Sequence, residues 1–215
     1  MGIQNRVTPF GCVIAHTAHG LFTGNRGVIH NAAEKKLHPT QRWTTKAWIY
    51  CLCEFKERKR EVFGANGPNG SPGWTNLFFL DAATALAAGD RPCFHCQRKR
   101  ATEFQNAFST GNNLSLQKAP QIDAILHAER LHGRNKQLHG FDGDWRALPD
   151  GTMIAQHRTA LLIVKGKMYK WAAGGYTQST ESLERPLLLT PPTIVNAMQA
   201  GFDVQINLPD TAHLR

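Results

Sequence analysis

One stretch, residues 77–96, constrains the fold more than any other, because local rules predict its structure almost residue by residue. The apolar run Leu77–Leu80 predicts a buried strand. Asp81 follows at the position of a helix N-cap, and Ala82–Ala88 is strongly helix-forming. Gly89 stands where a residue with a left-handed backbone commonly ends a helix. The sequence therefore predicts a strand, a capped short helix and a sharp stop.

The cysteines favour a metal site. Four of the five form two close pairs, Cys51 with Cys53 and Cys93 with Cys96. Such pairs are more typical of metal binding in a reducing compartment than of a disulfide framework. The Cys-x-x-Cys spacing of the second pair lets two thiolates bind one metal ion. We therefore predict a zinc site with these four cysteines as candidate ligands.

The fourth ligand stays open between two residues. Residues 46–55 have the composition of a strand, in which alternate Cα atoms lie about 6.6 Å apart. Two sulfurs on one tetrahedral zinc lie roughly 3.8 Å apart. Cys51 and Cys53 can thus bind one ion only if the strand bends or ends there. His30 competes with Cys53 for the fourth position, and two small buried thiols without a metal are the simpler alternative.

Residues 78–96 resemble the end of the zinc-binding domain of the Ada DNA-repair protein. That domain has aromatic residues, an alanine-rich helix, Ala-Gly-x-Arg-Pro-Cys and then Cys-x-x-Cys, as this chain does. The resemblance extends loosely back to Trp48, so it covers less than half of the chain. It implies a zinc-binding module and a role for Cys51 as acceptor of a methyl group from a DNA phosphotriester. The second family cysteine would fall at Phe55, where this chain departs from the pattern.

Positive charge is concentrated in the half that holds the paired cysteines. The net charge is +9, and residues 1–100 carry fourteen Lys and Arg against six Asp and Glu, whereas residues 101–215 carry eleven against ten. Clustered cations favour a polyanion, because each phosphate contact releases counterions; a basic surface without a partner is the alternative. We predict nucleic acid, most simply DNA, as the partner, with these phosphate contacts: Arg26, Arg42, Lys56, Arg58, Lys59, Arg91 and Arg98.

The remaining pattern predicts an α+β fold. A helix is expected over residues 97–108 and another from Pro120 to about residue 131, followed by strands at Met153–Gln156, Thr159–Val164 and Met168–Trp171. We expect a basic zinc-binding region at residues 1–110, a helical connector at 111–147, and a small β-rich region with one short helix at 148–215.

Several functional classes are disfavoured by what the sequence lacks. No apolar run approaches the roughly 20 residues of a membrane span, and the first residues lack a signal-peptide pattern, so a cytoplasmic protein is expected. The chain shows no catalytic triad and no phosphate-binding glycine fingerprint.

The cysteines, the charge and the resemblance leave three functional classes: a zinc-stabilised nucleic-acid-binding protein, a DNA alkyl-transfer enzyme acting through Cys51, and a structural zinc module for protein contacts.

Overall fold

The computed structural model describes residues 2–56 and 61–208. Over these ranges the chain forms two main β-sheets and four α-helices, which confirms the predicted α+β class. The first sheet comes from residues 4–92 and the second from residues 153–188. The strands of the first half are β1 (Gln4–Val7), β2 (Val13–Ala15), β3 (Phe22–Asn25), β4 (His30–Asn31), β5 (Lys36–Leu37), β6 (Ile49–Leu52), β7 (Leu77–Phe79) and β8 (Arg91–Pro92).

The second half supplies the remaining strands and most of the helices. Its strands are β9 (Leu131–His132), β10 (Asn135–Lys136), β11 (Met153–Gln156), β12 (Thr159–Val164), β13 (Lys167–Ala172), β14 (Gly175–Ser179) and β15 (Leu187–Leu188). The α-helices of the described residues are α1 (Ala82–Ala88), α2 (Arg98–Gly111), α3 (Ala119–Arg130) and α4 (Pro192–Gln199). Each helix and strand named in the sequence-based prediction is present within three residues of its expected bounds.

The first sheet has the strand order β2-β1-β7-β3-β6-β8. Strand β3 lies between β7 and β6 and pairs antiparallel with both, and Thr23 faces Cys51 across the ladder. Strand β8 pairs parallel with β6, with Tyr50 opposite Pro92. Parallel strands end at the same edge of a sheet. This register therefore brings Cys51 and the residues after Pro92 together.

Helix α1 has the N-cap, the length and the glycine at its C-terminal end that the sequence predicts. Thr84 N donates to the Asp81 carboxylate at 2.8 Å, so Asp81 is the N-cap. Gly89 ends the helix with φ +90°, and a Cβ there would lie only 2.7 Å from the Arg130 side chain. Glycine therefore suits this position for two reasons: it adopts a positive φ readily, and it has no Cβ to collide with Arg130.

Asp81 also ties the two halves of the chain together. Its carboxylate accepts hydrogen bonds from Tyr176 Oη at 2.8 Å and from the backbone N–H of Asn207 at 3.0 Å. The main core cluster likewise runs from Val7 to Val204 and includes residues of all three predicted regions. The predicted region boundaries separate the two sheets, but one apolar core is shared across them.

Replacing Asp81 by alanine is expected to lower the free energy of unfolding by about 2–4 kcal/mol. The change removes the cap of α1 and leaves the buried Tyr176 hydroxyl without its acceptor. Urea unfolding would measure the loss. The matched control is Asp144→Ala, which removes the exposed cap of the short 3-10 helix Trp145–Ala147 and should lower the free energy of unfolding much less. Equal losses for the two variants would contradict the linking role of Asp81.

Candidate metal centre

Three cysteine sulfurs converge where β6 and β8 end. The Sγ atoms of Cys51, Cys93 and Cys96 all lie within 4.8 Å of one another. One tetrahedral zinc ion requires sulfurs roughly 3.8 Å apart, so a small adjustment would let the three thiolates bind one ion. We call this set the three-cysteine cluster.

Backbone pairing and one side chain build the cluster. Strand β8 delivers Cys93, whose N–H donates to the Tyr50 carbonyl at 3.0 Å. The chain then turns, with Gln97 N donating to the Cys93 carbonyl at 3.0 Å, and this turn returns Cys96 to the cluster. The Gln97 side chain also donates to the Tyr50 carbonyl at 3.1 Å. The turn is therefore fixed to β6, the strand that carries Cys51.

Backbone N–H groups support negative charge on the sulfurs. His95 N donates to Cys93 Sγ at 3.3 Å, and Leu52 N donates to Cys96 Sγ at 3.4 Å. Hydrogen bonds to a thiolate stabilise its charged form, and such outer contacts are typical of metal-bound ligands. The local backbone is thus arranged for thiolates rather than for buried apolar thiols.

The protonation of the cluster shows why a cation suits it. Hydrogen bonds from the Cys51 thiol, and then from the Cys96 thiol, lower the pKa of Cys93. The hydrogen bond to Cys93 in turn raises the pKa of Cys51. The cluster therefore holds one thiolate readily and resists further ionisation. A divalent cation would neutralise the repulsion and allow all three sulfurs to bind as thiolates.

The structure does not bring the two candidates for the fourth ligand into the cluster. Strand β6 ends at Leu52, and the Cys53 thiol donates instead to the Leu21 carbonyl at 3.5 Å. His30 is buried, with Nδ1 2.7 Å from Thr75 Oγ1 and Nε2 3.3 Å from the Gly64 carbonyl oxygen. Both ring nitrogens of His30 are already engaged. Neither residue adds a ligand to the three sulfurs in this arrangement.

The three-cysteine cluster lies in the wall of a cavity of about 490 Å³. Its other walls are largely apolar and aromatic, and include Ile49, Phe55 and Phe78. Cys53 lines the same cavity. Asn76 also lines it, and the buried Oδ1 of Asn76 has no hydrogen-bond partner among the described residues. A ligand in this cavity would meet the three sulfurs, apolar walls and the unused acceptor of Asn76.

Two of the predicted phosphate contacts require correction. Arg26 is 0% exposed and its Nη2 lies 2.8 Å from the Asp90 carboxylate. Arg91 is 6% exposed and donates through Nε and Nη2 to both oxygens of Asp123, at 2.7 and 2.8 Å. Both guanidinium groups are internal counter-ions that hold distant segments together. Their burial and pairing remove them from contact with an external phosphate.

The other predicted phosphate contacts have different surroundings. Lys56 and Arg98 are exposed, and they follow the cluster residues closely along the chain. Arg42 is half-buried, and its guanidinium donates to the carbonyls of His38 and Pro39. Arg58 and Lys59 lie outside the described residues. Phosphate contact by these five residues stays a prediction.

Sequence reasoning missed Asn76, since a single polar residue before a strand carries no recognisable signal. It also missed the arginine and lysine residues of the second half that line another cavity, described below. Those residues come from three separate segments of the second half, and no charge run marks them.

Comparison with known proteins identifies no relative: no protein-family model, no curated protein and no solved structure matches this chain. The likeness to the Ada zinc-binding domain therefore depends on residues 48–96 alone. None of the helices in the described part of the chain has the length and apolar character that a membrane crossing requires.

Proposed function

We propose that this protein binds one zinc ion through Cys51, Cys93 and Cys96, with the fourth coordination position open to the adjacent cavity. The supporting observation is the convergence of three sulfurs, within 4.8 Å of one another, in the wall of that cavity. Thiolates are soft ligands that bind zinc well, whereas magnesium and calcium prefer oxygen ligands.

The open position follows from the two residues that do not join the cluster. Cys53 and His30 are hydrogen-bonded elsewhere, which leaves three protein ligands among the described residues. Structural zinc sites use four protein ligands, whereas sites that act on a bound molecule keep one position free. When bound, zinc would keep the three cysteines as thiolates at neutral pH. Asn76 would then orient a donor group of the ligand, and Phe55 and Phe78 would limit the access of water.

Nucleic acid, and DNA in particular, remains the proposed partner of this centre. The support is electrostatic: the exposed Lys56 and Arg98 flank the cluster along the chain, within a half whose net charge is +8, fourteen cations less six anions. Binding through such cations weakens steeply as salt rises. Lys56→Gln with Arg98→Gln should therefore weaken DNA binding and flatten its salt dependence. Unchanged salt dependence would contradict the proposed contacts.

Alkyl transfer from DNA to a cluster cysteine is the second candidate, because Cys51 lines the cavity. The thiolate sulfur would form a bond to a methyl carbon, the carbon–oxygen bond would break, and its electron pair would leave on a phosphate oxygen. Incubation with methylphosphotriester DNA should then add one methyl group to the Cys51 peptide in place of its proton. The same mass gain on a Cys51→Ser protein, or its absence from the wild type, would contradict this activity.

The zinc proposal is tested by native mass spectrometry of the wild type and single variants. One zinc per chain is expected in the wild type and in the control Cys12→Ser, which changes an exposed cysteine outside the cluster. Cys51→Ser, Cys93→Ser and Cys96→Ser should each lose the metal or hold it weakly. Cys53→Ser and His30→Ala should keep it. Loss of zinc in Cys53→Ser would contradict the open position, and a metal-free wild type would overturn the proposal.

A further inference from the structure

A second cavity, of about 800 Å³, has an unusually basic wall. Residues from both halves of the chain line it, from Thr8 to Trp171. Arg26, which is paired with Asp90, contributes to the wall, and no Asp or Glu is found among its described lining residues. Six further cations line it: Arg42, Arg130, Arg134, Lys136, Arg158 and Lys170. We call it the basic cavity.

Arg130 is the least expected of these cations. It is 0% exposed, and no carboxylate of the described residues lies within 4.0 Å of its guanidinium. Nη1 donates to the Gly89 carbonyl at 2.9 Å and Nη2 to the Lys46 carbonyl at 2.6 Å. Its Nε has no partner among the residues described. Asp90 and Asp123 act on this charge only from beyond ion-pair distance. A buried charge without a directly paired counter-ion is costly, so a bound anion would stabilise this one.

The other buried arginines show the contrast. Arg26 and Arg91 are also buried, and each has an aspartate partner at 2.7–2.8 Å. The fold thus neutralises two of these three guanidinium groups and leaves Arg130 in the wall of a cavity. Burial lowers the pKa of Arg130 to about 9. Of these three buried arginines, Arg130 alone lacks a directly paired carboxylate among the described residues.

The hairpin of β9 and β10 adds further positive charge. It follows α3 directly and brings Arg134 and Lys136 to the same wall as Arg130. Lys136 Nζ donates to the Ala87 carbonyl. Burial, and then the charges of Arg26 and Arg130, lower the pKa of Lys136 to about 7. Repulsion among cations around one cavity is what a bound anion would relieve.

Aromatic side chains make the basic cavity suitable for more than an inorganic ion. Trp43, Trp48 and Trp171 line it, and Trp43 and Trp171 are only partly buried. The guanidinium groups of Arg26 and Arg130 lie 3.7 and 4.0 Å from the ring centre of Trp48, which fixes both cations against an aromatic surface. The volume falls within the range of small-molecule sites. Cations beside partly exposed indoles match a phosphate joined to a planar base.

We propose that the basic cavity binds a nucleotide, with its phosphate beside Arg130 and Lys136 and its base against an indole ring of the wall. This site is separate from the zinc centre and does not depend on it. Thr8, whose buried Oγ1 also lacks a partner among the described residues, lines the cavity and supplies one more group for the ligand. The nucleotide is either free or part of a nucleic-acid strand, since the recognising chemistry is the same.

Isothermal titration calorimetry of the full chain tests the site with four probes: adenosine monophosphate, inorganic phosphate, adenosine and a short single-stranded oligonucleotide. We expect the nucleotide to bind more tightly than phosphate, and adenosine without phosphate not to bind. Arg134→Gln with Arg158→Gln should weaken nucleotide binding about tenfold or more, since it removes two charged hydrogen-bond donors from the wall of the cavity. Both residues are exposed at the rim, so the fold should tolerate the changes.

Arg146→Gln with Arg185→Gln is the matched control, because it removes the same charge from exposed positions that lie outside the basic cavity and are not predicted phosphate contacts. It should change the affinity less than about twofold, as screened surface charges do. Lys136→Met should abolish binding while zinc content stays unchanged. Tighter binding of the oligonucleotide would identify a strand as the source, and tighter binding of the mononucleotide a free ligand. Absence of binding by every probe, or equal weakening by both double variants, would overturn the proposal.

Discussion

Replacing Asp90 by alanine is expected to lower the free energy of unfolding by about 3–5 kcal/mol, the range found when one partner of a buried ion pair is removed. Asp90 and Arg26 are both 0% exposed, and Arg26 Nη2 lies 2.8 Å from the carboxylate. Asp90 also offsets part of the repulsion at Arg130 and Lys136. Without it, Arg26 would have no ion-pair partner among the described residues, and Arg130 and Lys136 would lose the carboxylate that acts on them most strongly.

Urea unfolding at low ionic strength would measure this loss. Glu103→Ala is the control, because it breaks the partly exposed pair of Arg100 and Glu103 and should cost below about 1 kcal/mol. Added phosphate should restore part of the stability of Asp90→Ala if an anion enters the basic cavity, and little in the control. A cost for Asp90→Ala no larger than that of Glu103→Ala would contradict the structural role of the pair.

Removal of zinc is expected to have a comparable effect. A ligand whose free concentration is a thousandfold above its dissociation constant stabilises the folded state by about 4.1 kcal/mol. For a chain of this size that corresponds to a fall in Tm of about 8–16 °C when a chelator takes the metal. The reason is local. Without zinc, Cys93 ionises readily at the end of β6, and its negative charge and hydrogen bonds oppose ionisation of Cys51 beside it.

Thermal unfolding with and without chelator, followed by circular dichroism, would measure this shift. Cys93→Ser should already melt at the lower temperature and show no further response to chelator. The shared core from Val7 to Val204 should keep the metal-free chain folded at room temperature. A chelator that removes zinc from the wild type without lowering its Tm would contradict a stabilising role for the metal.

Local rules were enough for the stretch from the Leu77 strand to the Cys93 turn. The cap at Asp81, the helix Ala82–Ala88 and the left-handed Gly89 depend on neighbours within a few residues, and all three are present. The two hairpin strands β12 and β13 were predicted for the same reason, and the turn between them lies at Lys165 and Gly166.

The candidate site was predicted less completely, because its geometry depends on long-range pairing. The spacing of the cysteines indicated a metal site, but the end of β6 at Leu52 follows from its pairing with β3 and β8, which the sequence does not reveal. Arg26 and Arg91 were predicted to contact phosphate. Their aspartate partners lie 64 and 32 residues away, so no local sequence pattern shows that these arginines are paired inside the protein. The basic cavity was not predicted for the same reason, since its cations come from five separate segments that only the fold brings together.

Zinc K-edge X-ray absorption of the purified protein tests the central claim most directly, because it counts the atoms bound to the metal. We predict three sulfur ligands and one oxygen or nitrogen ligand, the latter from water or a molecule in the adjacent cavity. Four sulfur ligands would mean that Cys53 completes the site and that the position facing the cavity is closed. A zinc ion with fewer than three sulfur ligands would contradict the three-cysteine centre itself.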